Sequence, residues 1–221
     1  MTVTDPPQPS RSSRPAQPGR RGRPGYDLES LLHVAVELFN ERGYDGTSME
    51  DLSRRLGITK SAIYHHVPSK QELLRLAVDR AIGGLFDVAE EVRTMPGPAI
   101  DRLEHLVRGS VHVLVDRLPF VTLLLRVHGN TEVERDALAR RREFDRFVAD
   151  LVKDAEAEGD IRPDIDPALT ARLLFGLVNS LIEWYRPQRG IDCTELADAI
   201  CKITFDGMRI RSFAASPQET S

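Results

Sequence analysis

The sequence is poor in cysteine and in aromatic residues, and it has no long apolar run. Its two cysteines, Cys193 and Cys201, lie eight positions apart on one predicted helix, which favours neither a disulfide framework nor a zinc site. No apolar run follows the N-terminus, which argues against a signal peptide. The longest apolar segment, residues 168–185, is interrupted by Arg172, Asn179 and Glu183, so it predicts a buried helix and not a membrane span. We therefore expect a cytoplasmic protein that binds no membrane.

The net charge of −4 is unevenly distributed. Residues 1–70 hold 10 Lys/Arg and 8 Asp/Glu, whereas residues 71–221 hold 20 and 26. A basic end on an acidic body indicates that only one end of the protein meets a polyanion. The acidic body also argues against a non-specific architectural DNA binder, since such a protein would need a basic body.

Residues 1–25 are rich in Pro, Ser, Gly and Arg and have almost nothing to bury. We expect them to form a disordered arm, and we expect a second flexible tail at 214–221. Two interpretations of the five arginines in the arm stay open. They could hold DNA phosphates or enter a minor groove, or the arm could be a solubilising tail.

The rest of the chain is predicted to be all-α, because apolar residues repeat at helical spacing and no alternating strand pattern occurs. Helix caps and breaks divide it into about nine helices. Their predicted spans are close to 28–42, 48–56, 60–66, 70–93, 100–118, 119–126, 132–158, 167–185 and, after a cap at Asp192 or Thr194, to 213. Thr47 is predicted to cap the second helix, with Glu50 completing a capping box, and Gly57 to end it.

The second and third predicted helices have the lengths and the glycine-containing turn (LGIT) of a helix-turn-helix. Ala62 and Ile63 are predicted to pack inward. The outward side chains are Thr59, Lys60, Ser61, Tyr64, His65 and, less clearly, His66. These residue types suit DNA, because lysine donates to guanine or phosphate, hydroxyls reach bases or phosphates, and tyrosine stacks or donates.

Other functions for this segment are less favoured. Adjacent helical residues point about 100° apart, so His65 and His66 cannot both bind one metal ion. No nucleophile or carboxylate lies near them in sequence to suggest acid–base catalysis. An inert solvated turn would leave the capping residues around it unexplained. We expect a DNA-binding surface, with no metal, no cofactor and no catalytic residue.

Residues 31–74 resemble the N-terminal domain of TetR-type transcriptional regulators. The resemblance rests on Phe39, Gly43, Tyr44, Thr47, Ile58, Tyr64, His66, Ser69 and Lys70, and IYHHVPSK nearly matches the family's LYHHF-x-SK. It implies that Thr47 and Lys70 hold phosphates, with Ser48 as a further DNA contact. It also implies that Lys60, Tyr64 and His65 face the major groove, with Thr59 and Ser61 near the backbone or a base edge. Val67 departs from the family's phenylalanine.

The resemblance divides the chain into a DNA-binding domain at 26–70 and a ligand-binding and dimerisation domain at 71–213, the latter matched in layout only. A short recognition helix reads few base pairs, so specificity usually needs two copies on a palindrome. The predicted eighth helix is apolar around most of its circumference, and the ninth offers two apolar stripes. We therefore expect a homodimer through these two helices. The alternative is a monomer that buries the eighth helix completely.

Polar and aromatic residues within the apolar helices of this domain suggest a pocket with a few anchors. The candidate ligand-binding residues are His112, Arg126, Phe144, Phe147, Asn179 and Trp184. The segment WYRPQRG resembles that of family members responding to acyl-CoA thioesters, and a hydrophobic aromatic effector is the alternative. We expect a DNA-binding repressor released by a small molecule. The rivals are a constitutive regulator and an all-α enzyme, although no glycine-rich phosphate loop or metal spacing supports the latter.

Overall fold

The computed structural model describes residues 27–208, which form ten α-helices, one short 3-10 helix and no strand. The helices are α1 (Leu28–Arg42), α2 (Met49–Leu56), α3 (Lys60–Tyr64), α4 (Lys70–Thr94), α5 (Ala99–Asp116), α6 (Leu118–Leu125), α7 (Glu132–Ala157), α8 (Pro167–Asn179), α9 (Leu181–Trp184) and α10 (Cys193–Met208). The all-α prediction is confirmed. Within 27–208, no helix combines the length and the apolar content that crossing a bilayer requires. The predicted arm, the predicted tail and the predicted helix beyond 208 lie outside the described residues.

Most helix starts follow from a local side-chain cap. Asp27, Thr59, Ser69 and Thr131 each accept the backbone N–H three residues further on, as the sequence predicts. Asp192 accepts from the backbone nitrogens of Thr194 and Glu195 and so opens α10.

The predicted cap of α2 was wrong by one residue. Ser48, not Thr47, is the N-cap, and it forms a reciprocal capping box with Asp51, not with Glu50. The side chain of Thr47 is turned inward and is only 1% exposed. Both residues are good caps by type, and burial of the Thr47 methyl and hydroxyl under α1 decides between them.

Helices α1 to α3 form a small domain around a shared apolar core. Leu31 on α1, Leu52 on α2 and Ile63 on α3 are each fully buried. The turn between α2 and α3 depends on Gly57, which has φ 65° and ψ 31°. This left-handed conformation lets the nitrogens of Gly57 and Ile58 reach carbonyl oxygens in the last turn of α2. The helix-turn-helix therefore follows from both its apolar pattern and its glycine.

The larger domain packs α4, α5, α7, α8 and α10 around one core, and α6 crosses between this domain and α1. Helices α4 and α5 approach each other closely at two glycines, Gly84 on α4 and Gly109 on α5. A β-carbon on Gly84 would lie 2.6 Å from Nη1 of Arg117, and one on Gly109 would lie 2.6 Å from Cγ1 of Val88. The two helices thus meet at a tight crossing that larger residues would force apart.

The predicted eighth helix is divided at Ser180 into α8 and α9. The Ser180 hydroxyl donates to the Leu177 carbonyl oxygen at 2.7 Å, and no Pro or Gly stands at the break. The sequence therefore contained no strong breaker there. After this break Trp184 is 49% exposed and Tyr185 is buried.

Candidate functional site

The recognition helix α3 is short and anchored by one face. Ile63 is fully buried, and Val67, just beyond the helix, is 1% exposed. The six outward residues of the sequence prediction, from Thr59 to His66, are all exposed, and Tyr64 is 50% exposed. Ala62, predicted to face inward, is half-buried. The side chains suited to DNA thus share one solvent-facing surface, which we call the recognition surface.

Lys60 is the only basic side chain on α3, and it is paired. Its Nζ lies 3.0 Å from Oε2 of Glu50 on α2. This hydrogen bond, together with the charge of Lys60, holds the pKa of the Glu50 carboxyl below its usual range. Since both side chains are at least half exposed, the pair is weak and can open when a phosphate or a guanine approaches.

The two residues expected to hold phosphates at the edges of the motif have internal partners. The Thr47 hydroxyl lies 2.8 Å from the Gly43 carbonyl oxygen and 3.3 Å from that of Leu38. The Lys70 ammonium donates to the carbonyl oxygens of Tyr44 and Thr47, at 2.8 Å each, and stands over the Tyr44 ring. Ser48 is exposed at the N-terminus of α2, where free backbone N–H groups favour an anion.

The DNA-binding domain carries little free positive charge. Residues 27–70 hold 5 Lys/Arg against 7 Asp/Glu. Each of these five cations has a partner: Arg42 and Arg54 pair with Asp51, Arg55 with Glu41 and Lys60 with Glu50, while Lys70 binds carbonyl oxygens. The domain therefore needs a further source of charge to attract DNA strongly, and residues 1–26 carry five arginines.

A cavity lies inside the larger domain, enclosed by α4, α5, α6, α7 and α8. Its empty volume is about 580 Å³ including the mouth. Its walls are mainly apolar, and three phenylalanines form an edge-to-face series. Phe144 stands between Phe86 and Phe175, with ring centroids 6.2 Å and 5.1 Å away. Such an apolar chamber suits the hydrophobic part of a small molecule.

Four polar residues also line this cavity: Ser110, Arg141, Asp145 and Asn179. Ser110 is 1% exposed, and its hydroxyl oxygen has no hydrogen-bond partner within residues 27–208. Partial burial raises the pKa of the Asp145 carboxyl, and the nearby charges of Arg141 and Arg172 oppose that shift. An unpaired buried hydroxyl is costly, so a polar atom of a ligand would be stabilised there.

Two of the six predicted ligand-binding residues, Phe144 and Asn179, line the cavity. The other four lie elsewhere. His112 Nδ1 is 3.2 Å from Sγ of Cys193, and Phe147 packs under the Arg93 guanidinium. Arg126 is exposed at the end of α6, and Trp184 is 49% exposed. Sequence reasoning missed Ser110, Arg141, Asp145 and the two outer phenylalanines, because only the packing of five helices brings them together.

An apolar stripe on α8 remains on the surface. Leu169, Leu173 and Leu177, at successive turns, are 47%, 62% and 38% exposed, and Ile203 on α10 is 73% exposed. Of the two stripes predicted on the last helix, the first comprises Leu196, Ile200 and Ile203. It is divided, since Leu196 and Ile200 are buried in the chain's own core and Ile203 is exposed. Ala197 and Cys201 of the second stripe are also buried.

Family models match both domains. Residues 31–77 match the model described as bacterial regulatory proteins, tetR family, and residues 96–208 match the tetracyclin repressor-like C-terminal domain. The first match contains the whole recognition surface. The second extends over about half of the chain and contains four of the five helices around the cavity.

Solved structures and curated relatives agree with these matches. A TetR-family transcriptional regulator of Streptomyces coelicolor A3 is 55% identical, with a TM-score of 0.77 over 83% of this chain and 92% of that one. AibR, solved with isovaleryl coenzyme A and operator DNA, is 27% identical, with a TM-score of 0.67 over 80% and 97% of the two chains. The transcriptional repressor KstR2 of Rhodococcus jostii is 27% identical over 80% of this chain and 89% of its own.

The helix-turn-helix, the helical domain behind it and these similarities agree on one assignment. The first family match includes the recognition surface, and the second includes most of the helices that enclose the cavity. The chain belongs to the TetR family of bacterial transcriptional regulators, which bind DNA through a helix-turn-helix.

Proposed function

We propose that this protein is a cytoplasmic repressor which binds a palindromic operator as a homodimer and leaves it when a small molecule enters the cavity. The relatives named repressors, and the neighbour solved with both an effector and operator DNA, support this function. Its role is regulatory and not enzymatic.

One observation carries the proposal: helix α6 contacts both the cavity and the DNA-binding domain. Val121 and Leu124 of α6 line the cavity. Phe120, between them and the start of α6, has its ring 4.9 Å from that of His33 on α1, and the Arg80 guanidinium of α4 stands over it. A ligand that displaces α6 must therefore disturb α1 and α4, which hold the recognition helix.

The DNA contacts are assigned from the recognition surface. Lys60, Tyr64 and His65 enter the major groove, and Thr59 and Ser61 meet the backbone or a base edge. Ser48 places the N-terminus of α2 at a phosphate, and its hydroxyl can donate there only by leaving Asp51 Oδ2. Thr47 can donate to a phosphate only by giving up its internal hydrogen bond. The Lys70 ammonium donates to two carbonyl oxygens and has a third N–H that a phosphate could accept.

Two copies of the chain are proposed to join through α8 and α10. The three leucines exposed on α8 lie on one face, and Ile203 on α10 extends the apolar surface. Covering this surface with the same surface of a second copy removes apolar area from water and produces a two-fold dimer. Two recognition helices related by such an axis suit a palindromic operator.

For the effector, acyl-CoA thioesters come first and hydrophobic aromatics second. The cavity offers phenylalanine walls to either class, and AibR provides an example of a similar protein solved with an acyl-CoA. Release requires tighter binding of the effector to the conformation that has left DNA. Moving the population from 1:99 to 99:1 takes about 5.5 kcal/mol of differential affinity.

The test is an operator selection with the purified full-length chain, followed by release assays on the selected sequence. We expect a palindrome to be enriched, and we expect a member of one effector class to raise the melting temperature and to dissociate the complex. Selection of no defined sequence would contradict the DNA-binding assignment. A selected operator that no acyl-CoA, no hydrophobic aromatic and no metabolite extract releases would instead establish a constitutive regulator.

A further inference from the structure

An arginine-rich groove opens between α7 and α8. It is lined by Arg141, Arg142, Arg146 and Arg172. Across the part of the chain that the structure describes, none of these four guanidinium groups forms a hydrogen bond or an ion pair. By contrast Arg140, the preceding residue on α7, pairs with Asp79 at 2.7 Å.

Four positive charges in one groove repel one another, and a bound anion would offset this repulsion. A single carboxylate, that of Asp145, lies in the groove. Partial desolvation raises the pKa of this carboxyl, and the charges of Arg141 and Arg172 oppose that shift. The groove therefore has an excess of positive charge, and guanidinium groups are suited to bind phosphate oxygens two at a time.

The groove is continuous with the apolar cavity. Four residues line both: Arg141, Asp145, Phe175 and Asn179. Beyond them the walls become apolar, with the phenylalanine series and the leucines of α5 and α6. Within that apolar part only Ser110 has a buried polar atom left without a partner. The site is thus divided into a charged mouth and an apolar chamber with one hydroxyl.

We propose that the effector is an amphipathic polyanion, with an apolar chain in the chamber and a phosphate-bearing head on the arginines of the α7–α8 groove. This inference rests on the proposed function of the cavity as the effector site. A CoA thioester has this chemistry, and its thioester oxygen can accept from Ser110 if it enters the chamber. A free fatty acid has one negative charge and can satisfy only part of the groove. A neutral aromatic leaves all four arginines unpaired.

The test compares three probes that share one chain: octanoyl-CoA, octanoyl-pantetheine, which lacks the phosphates, and octanoate. Butyryl and lauroyl versions of each probe test whether a shorter or a longer acyl chain fits the chamber better. Calorimetric titration of the full-length protein should show the CoA thioester binding at least about tenfold more tightly than the other two, with an affinity that falls as salt rises.

A double arginine variant tests how much the groove contributes to binding. Arg142→Ala with Arg146→Ala should weaken binding of the CoA thioester at least about tenfold and leave the pantetheine thioester within about twofold. Lys153→Ala, which removes an exposed charge from α7 outside the groove, is the control and should change neither. Arg172→Ala tests the groove from α8 if the double variant unfolds. Equal affinity for all three probes, or affinity of the CoA thioester that no arginine variant reduces, would overturn the inference.

Release assays separate this inference from the proposed function. In one outcome, CoA thioesters bind through the arginines and still leave the operator complex intact. That result would support phosphate binding by the groove and contradict the effector role of the cavity. Release by a neutral aromatic, with no response to CoA thioesters, would uphold the repressor function and overturn the polyanion.

Discussion

The side-chain amide of Asn40 on α1 donates to the carbonyl oxygen of Pro119 on α6 at 2.8 Å. The other amide atom, Oδ1, is buried and has no partner among the described residues. Because Pro119 lies in the first turn of α6, which lines the cavity, this hydrogen bond joins α1 to the wall of the cavity. The contact therefore satisfies only one of the two polar atoms of the Asn40 amide.

Asn40→Ala should separate effector binding from DNA release. We expect operator affinity within about threefold of wild type, and an effector concentration for half-release about fivefold higher or more, since allosteric couplings are typically 1–3 kcal/mol. Asn130→Ala, in the exposed loop before α7, is the matched control. Titration of an effector against the preformed operator complex measures the effect, and an unchanged half-release concentration would remove Asn40 from the coupling.

Substitutions on the recognition surface are predicted to lower the affinity for the operator and not the affinity for unrelated DNA. Lys60→Ala or Tyr64→Ala should each cost about 1–3 kcal/mol of operator affinity if the side chain meets a base edge, with folding unchanged. Arg93→Ala, at the far end of α4, is the control. Fluorescence anisotropy with operator and scrambled duplexes provides the comparison. Full operator binding by the double variant would show that α3 does not read the sequence.

The charge balance of residues 27–70 leads to a prediction about the N-terminal arm. Deleting residues 1–24 should weaken binding to every DNA sequence and flatten the salt dependence. Each lost phosphate contact removes roughly 0.9 from the slope of log affinity against log salt. Deleting 214–221, which contains no Lys or Arg, is the control. An identical slope after removal of the arm would identify it as a solubilising tail.

Thr47 and Ser48 are predicted to act differently although they are adjacent. Thr47→Val should lower the free energy of unfolding by about 1–3 kcal/mol, because the buried Gly43 and Leu38 carbonyls lose their hydroxyl donor. Ser48→Ala should lower it by about 1 kcal/mol through loss of the cap. Urea unfolding monitored by circular dichroism measures both, and Thr47→Ser is the conservative control. A Thr47→Val variant of normal stability that loses DNA affinity would instead support a direct phosphate contact.

The exposed stripe predicts the assembly state. Leu173→Glu with Ile203→Glu should produce monomers, since charges would be buried across the interface at a high cost. Leu28→Glu, at an exposed apolar position of α1, should leave a dimer. Sedimentation velocity distinguishes the two. A dimeric double variant would place the interface on another surface.

Local signals explain what the sequence could predict. A cap needs only a side chain and the backbone three residues ahead, so Thr59, Ser69 and Thr131 identified helix starts correctly. Gly57 ended α2 because a left-handed residue there satisfies the last carbonyls. Phe144 and Asn179 were predicted as ligand contacts from their place on apolar helices, and both line the cavity.

The errors came from information that is not local. Thr47 and Ser48 are equivalent caps until the packing of α1 buries one of them. Arg126 and Trp184 stay predictions as ligand contacts, since both side chains are exposed and neither lines the cavity. Ser110 and Arg141 are ordinary residues in sequence, and they become significant only where helices from distant parts of the chain enclose a common space.

The close contact at Gly84 holds α4 at one point, so a tilt of the helix about that point displaces its ends. Arg117, directly after α5, lies against Gly84 and donates to the Arg80 carbonyl oxygen. The end of α5 therefore holds α4 near Gly84. From Gly84 to the start of α4 at Lys70 is about 21 Å of helix, so a tilt of about 5° moves that end by about 2 Å. Hydrogen bonds to phosphates tolerate only a few tenths of an ångström. A small movement of the cavity wall is therefore amplified, at the DNA end of α4, into one that the operator contacts cannot follow.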